Sequence, residues 1–139
     1  MPTEKILIDT NLLIYSIDKD SRFQKKSLDL INSPRFKSCT TSKNLSEFLT
    51  VITRKSPYSL SVHDAVSVIE AFESDFEILY PSPESLIIFK NLITDYNPSG
   101  LKIHDFEIIS IALANNVKLI ATVNEKDFIG IKEIQVITV

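Results

Sequence analysis

Asp9 in LIDTN, Glu47 in NLSEF, Asp105 in KIHDF and Asn124 in ATVNEKDF carry oxygen-bearing side chains at points that a folded α/β chain brings together. Asp9 and Asn124 follow short apolar runs that read as buried strands, and in open parallel sheets ligands bind beyond the carboxyl ends of the strands. Converging carboxylates cannot all stay ionised without a cation. The chemistry expected is therefore that of a hard divalent-metal site. Mg²⁺ and Mn²⁺ prefer oxygen ligands and are held by a few carboxylates together with water and a phosphate substrate. Such a site suits in-line phosphodiester hydrolysis without a protein nucleophile, with Asp9 and Asp105 on the metal and Glu47 and Asn124 orienting waters or a second ion.

Each of these residues also has a plainer role open to it. Asp105 is followed by Ile108, Ile109 and Ala112 at i+3, i+4 and i+7, so it shares the apolar stripe of its helix. It is read as a ligand, although an acid in a first turn can also serve as a cap. Asp9 is followed by Thr10 and Asn11, small polar residues suited to binding water or a phosphate oxygen, and it can equally cap the helix that begins at Thr10. Glu47 projects nearer Lys43 and Arg54 than the Leu45, Phe48, Leu49, Ile52 stripe. Taken alone it reads as a surface glutamate paired with a cation, worth only about 0.3 to 0.5 kcal/mol. Thr122 and Asn124 end a strand, with Asp127 close behind. An asparagine can coordinate through its amide oxygen but brings no charge and cannot act as a carboxylate base.

The remaining chemistry is sparse. His63 and His104 read as polar first-turn residues, and no Cys/His spacing points to zinc. Cys39 reads as a buried apolar filler. No GxSxG elbow is present, and two glycines cannot build a GxGxxG or GxxxxGK phosphate cradle.

Hydrophobic periodicity supplies the elements that must position these groups. Apolar β-branched runs predict strands at 5–9, 36–40, 77–80, 118–122 and 134–139. Helical spacing predicts helices at 10–15, 22–32, 42–54, 61–74, 83–95 and 104–115, with Phe23, Leu28 and Ile31 at roughly helical spacing among charges in the second, and Ala65, Val66, Val68, Ile69 and Phe72 facing inward in the fourth. Ser61 suits an N-cap, Pro83 a first turn, and Asn97-Pro98-Ser99-Gly100 a loop. Alternating strands and helices imply βαβ crossovers, hence an α/β chain with three α/β/α layers and a mainly parallel central sheet of about five strands. No repeat or linker divides it, and a single domain over residues 1–139 is expected.

At 139 residues and 44% hydrophobic composition the chain is large enough to bury a continuous core. One cysteine cannot form an internal disulfide, no charged-then-apolar leader opens the sequence, and no apolar run approaches the roughly 20 residues of a membrane helix. A soluble protein of the reducing cytoplasm is expected. The net charge of −3 hides an asymmetry: residues 1–60 carry ten Lys or Arg against six acids, for +4, and residues 61–139 carry five against twelve, for −7. Lys19, Arg22, Lys25, Lys26, Arg35, Lys37, Lys43, Arg54 and Lys55 could form a basic flank for a polyanion, with Tyr15, Phe23 and Tyr58 available for base stacking.

Four segments in order now carry a resemblance. An apolar strand ending in DTN (Asp9, Thr10, Asn11), a Ser-x-x-x-x-Glu-like segment with Glu47 in SEF, a His-Asp helix start at Asp105 with IALANN behind it, and ATVNEKDF together span nearly the whole chain. The chain resembles a PIN domain, and within that family the small VapC-type toxin ribonucleases of bacterial and archaeal toxin–antitoxin pairs. The resemblance implies a Mg²⁺- or Mn²⁺-dependent endoribonuclease with Asp9, Glu47 and Asp105 as its acidic core, leaving 5′-phosphate and 3′-hydroxyl ends. Thr122 matches the polar residue after the last core strand. The fourth acidic position falls on Asn124, where Asp127 could compensate through water. The resemblance further implies a homodimer, an RNA substrate and a cognate antitoxin that blocks the acidic groove.

Two other classes compete. A non-catalytic PIN-like domain binding RNA or protein would account for Asn124. A phosphoacceptor receiver would also use strand-end aspartates, but it wants paired acids beside the acceptor strand, whereas Glu47 and Asp105 fall on helices.

Overall fold

The computed structural model describes residues 4–139. The elements run β1 (Glu4–Ile8), α1 (Thr10–Ile17), α2 (Gln24–Ile31), β2 (Phe36–Thr41), α3 (Ser42–Ile52), α4 (Val62–Asp75), β3 (Glu77–Leu79), α5 (Pro83–Tyr96), α6 (Lys102–Ala114), β4 (Leu119–Thr122) and β5 (Gln135–Thr138), with a single 3-10 turn at Glu125–Asp127. Every strand foreseen from the sequence forms, and boundaries move by a residue or two. α6 starts two residues before the expected His104.

The five strands form one parallel sheet in the order β3-β2-β1-β4-β5. The order reverses between β1 and β4, so the chain leaves these two neighbours in opposite directions across the sheet. A crevice opens at their carboxyl ends, which is where ligands bind in folds of this kind.

Successive residues of a strand point to opposite faces, and β1 is buried on both. Ile6 and Ile8 join Leu12, Leu13, Phe48, Ile52 and Phe72 in one core, under α1, α3 and α4. Leu7 joins Cys39, Phe106, Ile109, Ile120 and Phe128 in the other, under α5 and α6. These are the three layers expected. Val66 departs from its expected inward position and is exposed, as is Leu28. Val66 lies one residue, about 100° of helix, past Ala65 on the buried side, and Leu28 lines an open cleft rather than the closed core.

Caps set where the chain enters the helices at the crevice. Asp9 caps α1 by accepting the Thr10 N–H. Thr41 begins α3 with a reciprocal capping box to Asn44, a device worth about 1 kcal/mol.

Candidate metal centre

The crevice gathers side chains from five separate elements. Asp9 stands immediately after β1 and Thr122 ends β4. Thr122 Oγ1 donates to Asp9 Oδ2 at 2.8 Å, the Thr10 N–H donates to Asp9 Oδ1 at 2.9 Å, and Asn11 Nδ2 bridges Asp9 Oδ2 and Thr122 Oγ1 at 3.4 and 3.2 Å. The Asn124 N–H donates to Thr122 Oγ1 at 3.0 Å and so braces the strand end. Hydrogen bonds to a carboxylate favour its charged form. Burial outweighs them here, and the proximity of Glu47 and Asp127 adds to it, so the Asp9 carboxyl is pushed up to about 6.

Asp105 projects from the first turn of α6 toward the same place. Its carboxyl is pushed up to about 7, first by burial, then by the negative charges of Asp127, Asp9 and Glu47, with Lys102 opposing. Among the described residues it accepts no hydrogen bond, and α6 has no side-chain cap. The capping role open to Asp105 is thus not the one it takes. For Asp9 the cap and the position in the crevice coexist.

Glu47 contradicts its reading as a surface glutamate with a neighbouring cation. Its Oε2 accepts from the Thr10 hydroxyl at 3.0 Å, whereas Lys43 pairs with Glu107 of α6 at 3.4 Å. Asn44 Nδ2 donates to that same Thr10 oxygen at 3.0 Å. Glu47 also lines a polar groove of about 460 Å³ between α3 and α6, with Lys43, Ser46, His104 and Glu107 along it.

The positions foreseen in the sequence therefore converge unequally. Asp9, Asp105 and Glu47 lie within mutual electrostatic reach. Thr10, Asn11 and Thr122 form the hydrogen-bonded support of Asp9, and Thr10 also that of Glu47. Asn124 contributes its backbone N–H, while its side chain is exposed. The acidic influence expected at that point comes instead from Asp127 in the 3-10 turn, which bears on both aspartates. Sequence reasoning passed over Asn44, Lys102, Glu107 and His104. Thr41-x-x-Asn44 was the one legible signal, as a variant of the capping-box pattern.

The basic flank is dispersed. Lys43 stands on the groove, but Arg35 and Lys37 lie at the start of β2, the end of the sheet remote from the crevice. Tyr15 and Phe23 pack on one another with ring centroids 5.1 Å apart, and Tyr58 donates its hydroxyl to Asp18 at 2.8 Å. These aromatics are tied into the protein's own packing.

A hard cation fits the donors present. They are oxygen atoms, two belong to carboxylates pushed up first by burial and then by neighbouring acids, and Asn11 Oδ1 is buried with no hydrogen-bond partner. Such an acceptor is costly to leave unused. Among the described residues no three His, Cys, Asp or Glu side chains stand close enough to enclose an ion by themselves. Mg²⁺-type binding asks for only one or two carboxylates, completed by water and substrate phosphate.

A parallel sheet with its acids at the switch point defines an α/β protein with a strand-end acidic site. Residues 6–134 match the PIN domain family, and the chain belongs to that family. Comparison with curated proteins finds no match. Among solved structures the chain is similar to VapBC2 from Rickettsia felis bound to a promoter DNA fragment, at 23% identity and a TM-score of 0.73 over 97% of this chain and 98% of that one. It is also similar to a toxin–antitoxin complex from Klebsiella pneumoniae, at 23% identity and a TM-score of 0.69 over 96% of each chain. VapC20 from Mycobacterium tuberculosis, a toxin that cleaves the sarcin–ricin loop, shares 11% identity at a TM-score of 0.64 over 83% of this chain and 86% of that one. The likeness in all three is one of fold.

Proposed function

We propose that this PIN domain is a Mg²⁺- or Mn²⁺-dependent endoribonuclease that hydrolyses RNA phosphodiester bonds as the toxin of a type II toxin–antitoxin pair. The observation that carries the reading is the convergence of Asp9 and Asp105 at the switch point, where burial and the surrounding acids push both carboxyls up. Burying acids against one another destabilises the protein, and a divalent cation gives the arrangement its use.

Asp9 and Asp105 would hold the cation. When bound, it would lower the pKa of water and offset charge on the phosphate. Thr122, Thr10 and Asn11 keep the Asp9 carboxylate oriented. Glu47 has one oxygen tied to Thr10 and faces the groove, where it orients water or a ribose hydroxyl. Asp127 supplies the remaining negative charge, with Asn124 bracing the strand end that carries Thr122. Lys43, Lys102 and His104 border the site and suit the RNA backbone.

Two partners are proposed for the apolar surface. A cleft of about 650 Å³ lined by Pro81, Pro83, Leu86, Phe89 and Ile111 supports a homodimer. A second, of about 390 Å³ between α1, α2 and α4, contains Ile17, Leu28, Ile31, Val68 and Phe72 and suits an amphipathic antitoxin segment. Among the described residues no helix is long and apolar enough to cross a membrane. A place in the reducing cytoplasm accords with the buried free thiol of Cys39, which burial, reinforced by its contact with Glu77, pushes up to about 12.

Induced expression of parent and Asp9→Asn proteins, with mapping of new RNA 5′ ends, tests the reading. New 5′-phosphate ends should appear with the parent alone. Metal or RNA binding without turnover would instead favour a non-catalytic PIN-like binding domain.

A further inference from the structure

We infer that Asn44 is a positioning residue of the candidate site: acting through Thr10, it fixes the direction of a single hydroxyl proton and thereby holds Glu47 as a hydrogen-bond acceptor. The inference rests on the nuclease reading for its consequence in catalysis, and on geometry alone for the relay itself.

Asn44 is fully buried in the first turn of α3. Its amide can be oriented in one way only. The side-chain atom facing Thr41 takes hydrogen bonds from the Thr41 N–H at 3.2 Å and from the Thr41 hydroxyl at 2.7 Å, so it must be the carbonyl oxygen. The amide nitrogen then faces Thr10 Oγ1 at 3.0 Å and donates to it. A threonine hydroxyl has one proton. With Asn44 occupying a lone pair of Thr10, that proton goes to Glu47 Oε2 at 3.0 Å. The backbone N–H of Thr10 meanwhile holds Asp9, so one residue orients both acids.

Capping alone does not explain the choice of asparagine. A carboxylate at the third position of a helix completes a capping box equally well, because the box asks only for an acceptor toward the N-cap N–H. Asn44 must accept from Thr41 and donate to Thr10, and an amide does both. The substitution Asn44→Asp separates the two duties. It preserves the acceptor toward Thr41 but removes the donor, so the Thr10 proton turns away from Glu47.

The test combines kinetics with a readout on metal-free protein. In wild type, Asn44→Asp and Thr10→Val, the ¹³C resonance of the Glu47 carboxyl carbon is recorded without metal, and kcat and KM for an RNA substrate are measured with Mg²⁺. Both variants should move the Glu47 resonance and lower kcat about ten- to a hundred-fold with KM within about two-fold, the scale of one hydrogen bond to a charged group. Neither should lower kcat further when combined with Glu47→Gln, and Thr10→Ser should retain the wild-type resonance. Thr10→Val adds no buried charge and covers the case in which Asn44→Asp fails to fold. An unchanged resonance with lowered thermal stability alone, or losses that multiply with that of Glu47→Gln, overturns the relay. A moved resonance beside a fully active Glu47→Gln leaves the relay standing and removes Glu47 from the nuclease mechanism.

Discussion

Thr122 donates its hydroxyl to Asp9 Oδ2 at 2.8 Å, joining the carboxyl ends of β4 and β1 where the strand order reverses. The bond favours the ionised acid and opposes the burial that raises it. Replacing Thr122 by valine keeps the shape and removes the donor. Thr122→Val should raise the Asp9 titration midpoint above about 6 and weaken Mn²⁺ binding at neutral pH by about ten-fold. An NMR titration of the Asp9 carboxyl carbon checks it; a midpoint that falls or stays put contradicts it.

Metal binding should depend steeply on pH. Both aspartates must ionise to bind a cation, and their raised values, about 6 and about 7, place that ionisation near neutrality. Apparent Mn²⁺ affinity, and cleavage rate at limiting metal, should rise from about pH 5 to about pH 8 and then level off. In Asp105→Asn the rise near 7 should vanish. Calorimetric titrations at several pH values read this directly.

Stability without metal should move the opposite way. Both acids start from 3.8 in the unfolded chain and are raised in the folded one, so between about 4 and about 7 the folded protein retains protons that the unfolded chain has released. Their contribution is fully present below the unfolded value and is lost as pH rises through the folded values. Asp105→Asn escapes this loss. Its Tm in chelator should exceed that of wild type by several degrees at about pH 8, on the scale of about 4 °C per kcal/mol, and the gap should close toward about pH 4. A gap that widens at low pH is the contrary result.

Asp127 should matter more to cleavage than Asn124. Asp127 raises both aspartates, while the Asn124 side chain is exposed and only its backbone N–H contacts the site. Asp127→Asn should lower both midpoints and reduce cleavage about ten-fold, whereas Asn124→Ala should change cleavage by less than about three-fold. Parallel rate measurements on the two variants separate them.

The layers and the sheet were legible because strand and helix periodicity leave strong marks, as in KILI buried on both faces and the Ile108, Ile109, Ala112 stripe. Asp9, Thr122 and Asp105 were legible too, since acids and threonines at strand ends and on apolar stripes stand out against their neighbours. Glu47 was legible only through the order of segments that resembles a PIN domain: its partner Thr10 is 37 residues away, and periodicity carries no long-range information. Val66 was misplaced for a local reason, the narrowness of the buried stripe on α4. Asn44 stayed hidden because a polar residue in a first turn is usually a cap. Its second bond, to Thr10, exists only once α1 and α3 pack together. Asp127 was legible only as a compensation offered for Asn124, because the 3-10 turn that brings it to both aspartates has no periodic signature.

The most direct measurement is calorimetric titration of Mn²⁺ into metal-stripped protein at about pH 8, for wild type, Asp9→Asn and Asp105→Asn. Wild type should bind saturably, with heat that depends on buffer ionisation because protons are released, and each single substitution should weaken binding at least about ten-fold. Equal affinity in all three proteins, or no saturable binding in wild type with RNA phosphate supplied, would mean that these aspartates do not form a cation site.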